Sequence, residues 1–245
     1  LIKESNFLPI AKFNKKGMTL NVPENLKEMK LGQLIALAEI FETTTADELN
    51  VDRLEIALSD FFDLTLGQVR KMSRLTLERI IEAMTKSFVK CSKEYLQVFE
   101  RKDFIRSFRC QDKELFRIQK KVGLFQKKSF FVNKDIENEP AGIWLTLLDG
   151  SLRKINQCEK MLEQWQHIPR VVACLAWKRR ESRFTKGLDG EPVVNFDRIE
   201  RMEKVFLQMR AIDAVSVFAF FLNNQKSSLN VQYSDLFSKK LNIKT

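Results

Sequence analysis

A chain of 245 residues, 44% hydrophobic and 30% charged, is long enough to bury a core, and its balance excludes wholesale disorder, a collagen-like fibre and a polytopic membrane protein. The counts of 8 Gly and 5 Pro argue against an all-β chain, 4 Cys exclude a disulfide scaffold, and 1 His removes most hydrolase, metal and proton-shuttle chemistry. Lys and Arg number 42 against 32 Asp and Glu, and the net charge of +10 draws the chain towards polyanions: nucleic acid, an acidic partner or an anionic membrane surface.

The first residues, Leu1-Ile2-Lys3-Glu4, show no secretory leader pattern, and the missing Met implies that the numbering begins inside a longer product. Ala11-Lys12-Phe13 and Met18 to Val22 flank a polar loop ending in Gly17, which predicts a β-hairpin; Pro23 ends the pairing. Leu31, Leu34, Ile35 and Ala38 then form one helical stripe, and Leu54, Ala57, Leu58, Phe61 and Phe62 form a second. Thr65-Leu66-Gly67-Gln68 has the form of a capping box opening a short helix. Leu77, Ile80, Ile81, Met84 and Phe88 mark a fourth helix, with Thr76 as its expected cap.

The middle of the chain is basic. Residues 93–134 hold 12 Lys and Arg against 5 Asp and Glu, so most of the net charge is local. Its first part reads as a helix to about Arg109, with Tyr95, Val98 and Phe99 inward. Residues 115–132 read as a second hairpin, with Gly123 and lysine pairs between apolar residues. Helices return with Pro140 to Leu148. Gly150 suits a helix stop and Ser151 a start, and Ile155, Cys158, Leu162 and Trp165 share a face. Pro169 opens the next helix, where Cys174 reads as a small core residue. A polar loop is expected from Lys178 to Val194, turning at Gly187 to Gly190. Ile199, Met202, Phe206 and Met209 mark another helix, Ile212 to Leu222 a buried one, and the residues from Asn223 a polar tail with a short extended piece at 229–233.

One organisational signal spans the whole chain. Val22, Leu26, Gly32, Leu34, Ile35 and Leu37 lie over Val132, Ile136, Gly142, Trp144, Leu145 and Leu147 at a constant offset of 110. Two copies of a hairpin-plus-helices unit account for that spacing. The expected organisation is a first unit at 1–92, a basic linker helix at 93–114, a second unit at 115–222 and a tail at 223–245. The expected fold class is mainly α with small β-hairpins.

Catalytic constellations are sparse. His167, before a proline-started helix, has no Ser or Cys nucleophile in a recognisable motif. The carboxylate pairs Asp60/Asp63 and Glu200/Glu203 read as solvated helix faces, and no phosphate-cradling glycine loop occurs. No cofactor, metal or membrane span is therefore expected, and no enzymatic activity. The basic residues carry the functional reading. Arg101, Lys102, Arg106, Arg109, Lys120, Lys121, Lys127 and Lys128 interleave with Phe104, Phe108, Phe116 and Phe125. Cations neutralise phosphates and aromatic rings stack on unpaired bases, so these residues are candidate contacts to nucleic acid or an acidic partner. Lys178, Arg179 and Arg180, followed by Arg183 and Lys186, form a second cluster. The alternative role for such cations is to keep a hairpin edge soluble.

Val22-Pro23-Glu24-Asn25-Leu26 through Leu31-Gly32-Gln33 resembles small bacteriophage head and tail structural proteins, which open a helical unit with a Val/Ile-Pro piece, an acidic residue and a Leu-Gly-Gln turn. The stretch from Phe61 to Thr76 and the closing Ala219-Phe220-Phe221-Leu222 are similar to the same pattern, although Lys30 stands where a Thr cap is more usual. That resemblance, shared with virion proteins of crAss-like phages and with tail assembly chaperones, implies a virion protein or packaged cargo. It implies other virion subunits and further copies of the chain as partners, the virion and the host cytoplasm as locations, and no catalytic residue. A tail assembly chaperone and a nucleic-acid-binding adaptor are the alternative readings.

Overall fold

The computed structural model describes residues 9–13, 18–45, 50–100, 115–122, 126–133, 139–147, 151, 153–158, 161–178 and 181–229. Over these the chain is mainly helical, with small antiparallel hairpins. It divides into two compact units, Leu1–Gln97 with Arg210–Ile212, and Val98–Met209 with Asp213–Thr245.

In the first unit, strands β1 (Pro9–Phe13) and β2 (Met18–Asn21) pair antiparallel, with an irregularity between Pro9 and Ala11. Helices α1 (Leu31–Thr45), α2 (Val51–Phe62), α3 (Leu66–Val69) and α4 (Arg74–Glu100) follow. Each boundary has a local cause. Asn50 accepts the Arg53 amide at the start of α2, and Asp63 closes that helix in the left-handed region at φ 57°. Asp63 thus serves as a helix stop. Thr65 and Gln68 form the capping box of α3. The cap of α4 is Ser73, whose hydroxyl accepts the Thr76 amide at 3.2 Å; Thr76 itself lies inside the helix. At α1, Gln33 Oε1 accepts the Lys30 amide at 3.1 Å, so half a capping box survives without the Thr.

The stripes read from the sequence form the core of this unit. Leu31, Leu34, Leu58, Phe61, Ile80 and Met84 are buried, and the rings of Phe41 and Phe88 stack at 4.1 Å between α1 and α4. The strap between β2 and α1 is tied to α4. Ser87 Oγ donates to the Pro23 carbonyl at 2.5 Å, the Leu26 amide donates to Glu94 Oε2 at 2.8 Å, and Lys90 Nζ sits 3.2 Å from Glu24. Arg210 bridges Lys30, and the Ala211 and Ile212 amides donate to the Met29 and Leu26 carbonyls at 2.7 and 3.0 Å.

α4 runs unbroken for 27 residues, so the expected boundary after residue 92 falls inside it, and the division between units comes at Gln97. Buried Cys91, Tyr95 and Val98 continue the stripe of Ile80, Met84 and Phe88. Lys93 and Glu100 on this stretch are exposed, so the charged positions do not interrupt the helical period.

The second unit contains strands β3 (Leu115–Val122) and β4 (Gln126–Asn133), then α5 (Ala141–Leu147), α6 (Arg153–Gln157), α7 (Met161–Trp165) and α8 (Ile168–Leu175). Strands β5 (Phe184–Lys186) and β6 (Pro192–Val194) precede α9 (Phe196–Leu207) and α10 (Ala211–Leu229). The polar loop expected at 178–194 therefore contains a third hairpin. Its turn needs Gly190 at φ +82°, and the Gly187 amide closes it on the Glu191 carbonyl at 2.8 Å. Helix α5 packs closely on this hairpin through Gly142, where a Cβ would come within 3.2 Å of Val194 and 3.4 Å of Phe184. Helix α10 extends to Leu229, past the start of the expected tail and over the first residue of the expected extended piece. The rest of that piece, with 230–245, lies outside the described residues.

Helices α1 and α5 begin 110 positions apart, and Val22 and Val132 are 5% and 2% exposed. After those helices the units differ, one continuing into α2 and the long α4, the other into three short helices and a hairpin.

Candidate functional site

β3 and β4 pair over eight unbroken positions, from Leu115 opposite Asn133 to Val122 opposite Gln126. Their composition explains both the pairing and its split character. Towards the base, the β-branched and aromatic residues Phe116, Ile118, Phe130, Phe131 and Val132 favour extended backbone and burial. Towards the turn, the register sets Lys120 opposite Lys128 and Lys121 opposite Lys127. Residues 115–133 hold five Lys and Arg and no Asp or Glu. Like charges placed directly opposite each other disfavour pairing. The base must hold the ribbon against that repulsion.

The base is anchored in three ways. Phe130 and Val132 are buried, and the Phe130 ring meets Phe206 edge-on at 5.0 Å. Phe131 exchanges two backbone bonds with Trp177: its amide donates to the Trp177 carbonyl at 2.8 Å and its carbonyl accepts the Trp177 amide at 3.0 Å. At the end of β4, Asn133 Nδ2 donates to Glu139 Oε1 at 2.7 Å, and Glu139 Oε2 accepts from Arg183. Arg183 also donates to the Cys174 carbonyl at 3.1 Å and lies over the Trp177 ring, 4.6 Å from its centroid.

A second arginine completes the same network. Arg198, 1% exposed, donates to the carbonyls of Ala173 and Ala176 at 3.1 and 2.5 Å, and its Nε lies 3.4 Å from Glu181 Oε2. The two guanidinium groups thus occupy the C-terminal carbonyls of α8, where the helix dipole favours a cation. Burial pushes the Glu139 carboxyl above the ordinary carboxylate range, while Arg183 and Asn133 act in the opposite direction. Burial likewise lowers Arg198, opposed mainly by Glu181. The Cys174 thiol is pushed up to about 12 by burial and stays protonated at neutral pH. Chemically, this network binds its own polar groups and holds the ribbon base and β5 in place.

Of the candidate residues read from the sequence, the structure brings together Lys120, Lys121, Lys127 and Lys128. Arg101, Lys102, Arg106, Arg109, Arg179 and Arg180 lie outside the described residues. Lys178 is half-buried, with its Nζ 3.9 Å from Glu181. Arg183, grouped by sequence with the surface cations, is buried at 9% exposure and paired. Glu203, read as part of a solvated carboxylate pair, binds Arg170 at 2.6 Å. His167 is half-buried at the start of α8, and burial, with Lys154 adding to it, lowers its pKa.

Sequence reasoning missed the Asn133–Glu139–Arg183 chain. The only available signal was one acidic residue six positions after a strand, which no spacing rule singles out. Comparison with protein-family models, with curated proteins and with solved structures gives no match. Among the described residues, no helix is long and apolar enough to cross a membrane.

Proposed function

We propose that this chain is a non-enzymatic bacteriophage virion protein, structural or packaged as cargo, that packs against other virion subunits and turns the β3–β4 ribbon towards DNA or an acidic subunit. The register of the ribbon carries the reading. Four lysines stand in two adjacent cross-strand pairs beyond a base fixed by Phe130, Phe131, Val132 and Asn133. A polyanion relieves the repulsion within those pairs. The resemblance of residues 22–33 to phage head and tail proteins supplies the setting. Mass spectrometry of purified particles tests it. The chain is expected in the mature particle at many copies. Its absence there, with presence in infected-cell extract, overturns the virion reading in favour of a tail assembly chaperone.

A further inference from the structure

The ribbon has two outer edges, and they differ. At the base of β4 the edge is occupied, because Phe131 exchanges both backbone bonds with Trp177. Along Leu115–Val122, no strand among the described residues pairs with the outer edge of β3. That edge is eight residues long, with no proline and no break in register, whereas β1–β2 carries an irregularity at Pro9. Folded proteins seldom leave such an edge bare without a protecting device. Among the described residues, the device that the sequence of β3 supplies is positive charge, at Arg117, Lys120 and Lys121.

Charge also selects the occupant. A second copy of β3 would bring its own three cations to the seam and be repelled. A DNA duplex would satisfy the lysines but has no alternating N–H and C=O groups to pair with those of β3. An extended acidic polypeptide supplies both. Its main chain completes the ladder, and its carboxylates meet the cations as opposite-charge cross-strand neighbours. We propose that the outer edge of β3 takes an extended acidic segment of a partner protein as a third strand. This rests on the reading above that the ribbon is the binding surface, and it narrows that reading from polyanions in general to acidic polypeptide.

The experiment uses the full chain and fluorescence anisotropy. The probe is a labelled peptide of about ten residues alternating valine and glutamate. Two further versions are N-methylated on one or the other alternate set of amides, and a short DNA duplex serves as comparison. The parent peptide is expected to bind. Methylating the set that faces β3 is expected to weaken binding by about tenfold or more, and methylating the other set to leave it nearly unchanged. Charge reversal at Lys120, Lys121, Lys127 and Lys128 is expected to abolish binding. Equal binding by both methylated peptides overturns strand addition, and the intact protein gives that result whatever the variant does. Binding of the duplex alone overturns the inference and leaves the polyanion reading standing. Binding of neither overturns both.

Discussion

At the scale of single residues, the buried arginines set the largest expected effects. Arg198 is 1% exposed and holds two carbonyls at the end of α8 beside Glu181. Removing its guanidinium leaves both carbonyls without their charged donor, while Glu181 keeps only the more distant Lys178. Arg198→Met is therefore expected to cost about 3–5 kcal/mol, read as a lower urea midpoint. A change within about 1 kcal/mol of wild type would show that the pair contributes little beyond its volume. His167 gives a pH signature. Its pKa is lowered in the fold, so the unfolded chain binds the proton more readily. Stability is expected to fall as pH drops through the ordinary imidazole range, and His167→Gln to reduce that fall. Urea midpoints at about pH 7.5 and about pH 5.5 read the difference. The thiols of Cys91 and Cys174, both pushed up to about 12 by burial, are expected to resist alkylation in the native protein and to react once it is denatured. Peptide mapping after a timed iodoacetamide pulse checks this.

At the scale of elements, local chemistry decided what was legible. Thr65→Ala is expected to cost about 1 kcal/mol, because the Gln68 amide loses its side-chain acceptor and the capping box is broken. Thermal unfolding of the variant measures it. That helix start could be read because a capping box is four consecutive residues. The stripes of α2, α4 and α9 were equally legible, since their apolar spacing survives in the buried Leu54, Ala57, Leu58, Phe61, Ile80, Met84, Ile199, Met202 and Phe206. The β5–β6 hairpin was not legible. Its strands are three residues each, too short for a periodic signal, and its pairing is supported from outside by the approach of α5 at Gly142. The length of α4 was not legible in the change of composition at residue 93, because its buried stripe continues through Tyr95 and Val98. In the candidate site, the lysines were visible as residues. Their cross-strand register was not, because register depends on where the turn falls. The Glu139–Arg183 anchor was hidden because its members are 44 positions apart.

At the scale of the whole molecule, the proposed function rests on a cationic ribbon whose base is held by a buried ion pair. The net charge of +10 alone would give diffuse attraction to any polyanion. Concentration of the charge at four paired positions makes that attraction local and therefore removable. The most direct measurement is the salt dependence of binding to a short DNA duplex and to polyglutamate, for wild type and for a variant with Lys120, Lys121, Lys127 and Lys128 all changed to Gln. If the ribbon is the contact surface, the wild type binds at least one of them. Where that ligand is the duplex, the variant is expected to lose about 3 to 4 from the slope of log affinity against log salt. Where it is polyglutamate, the variant is expected to lose most of the salt-sensitive binding. Equal salt dependence for wild type and variant, or no binding by the wild type, would contradict the account.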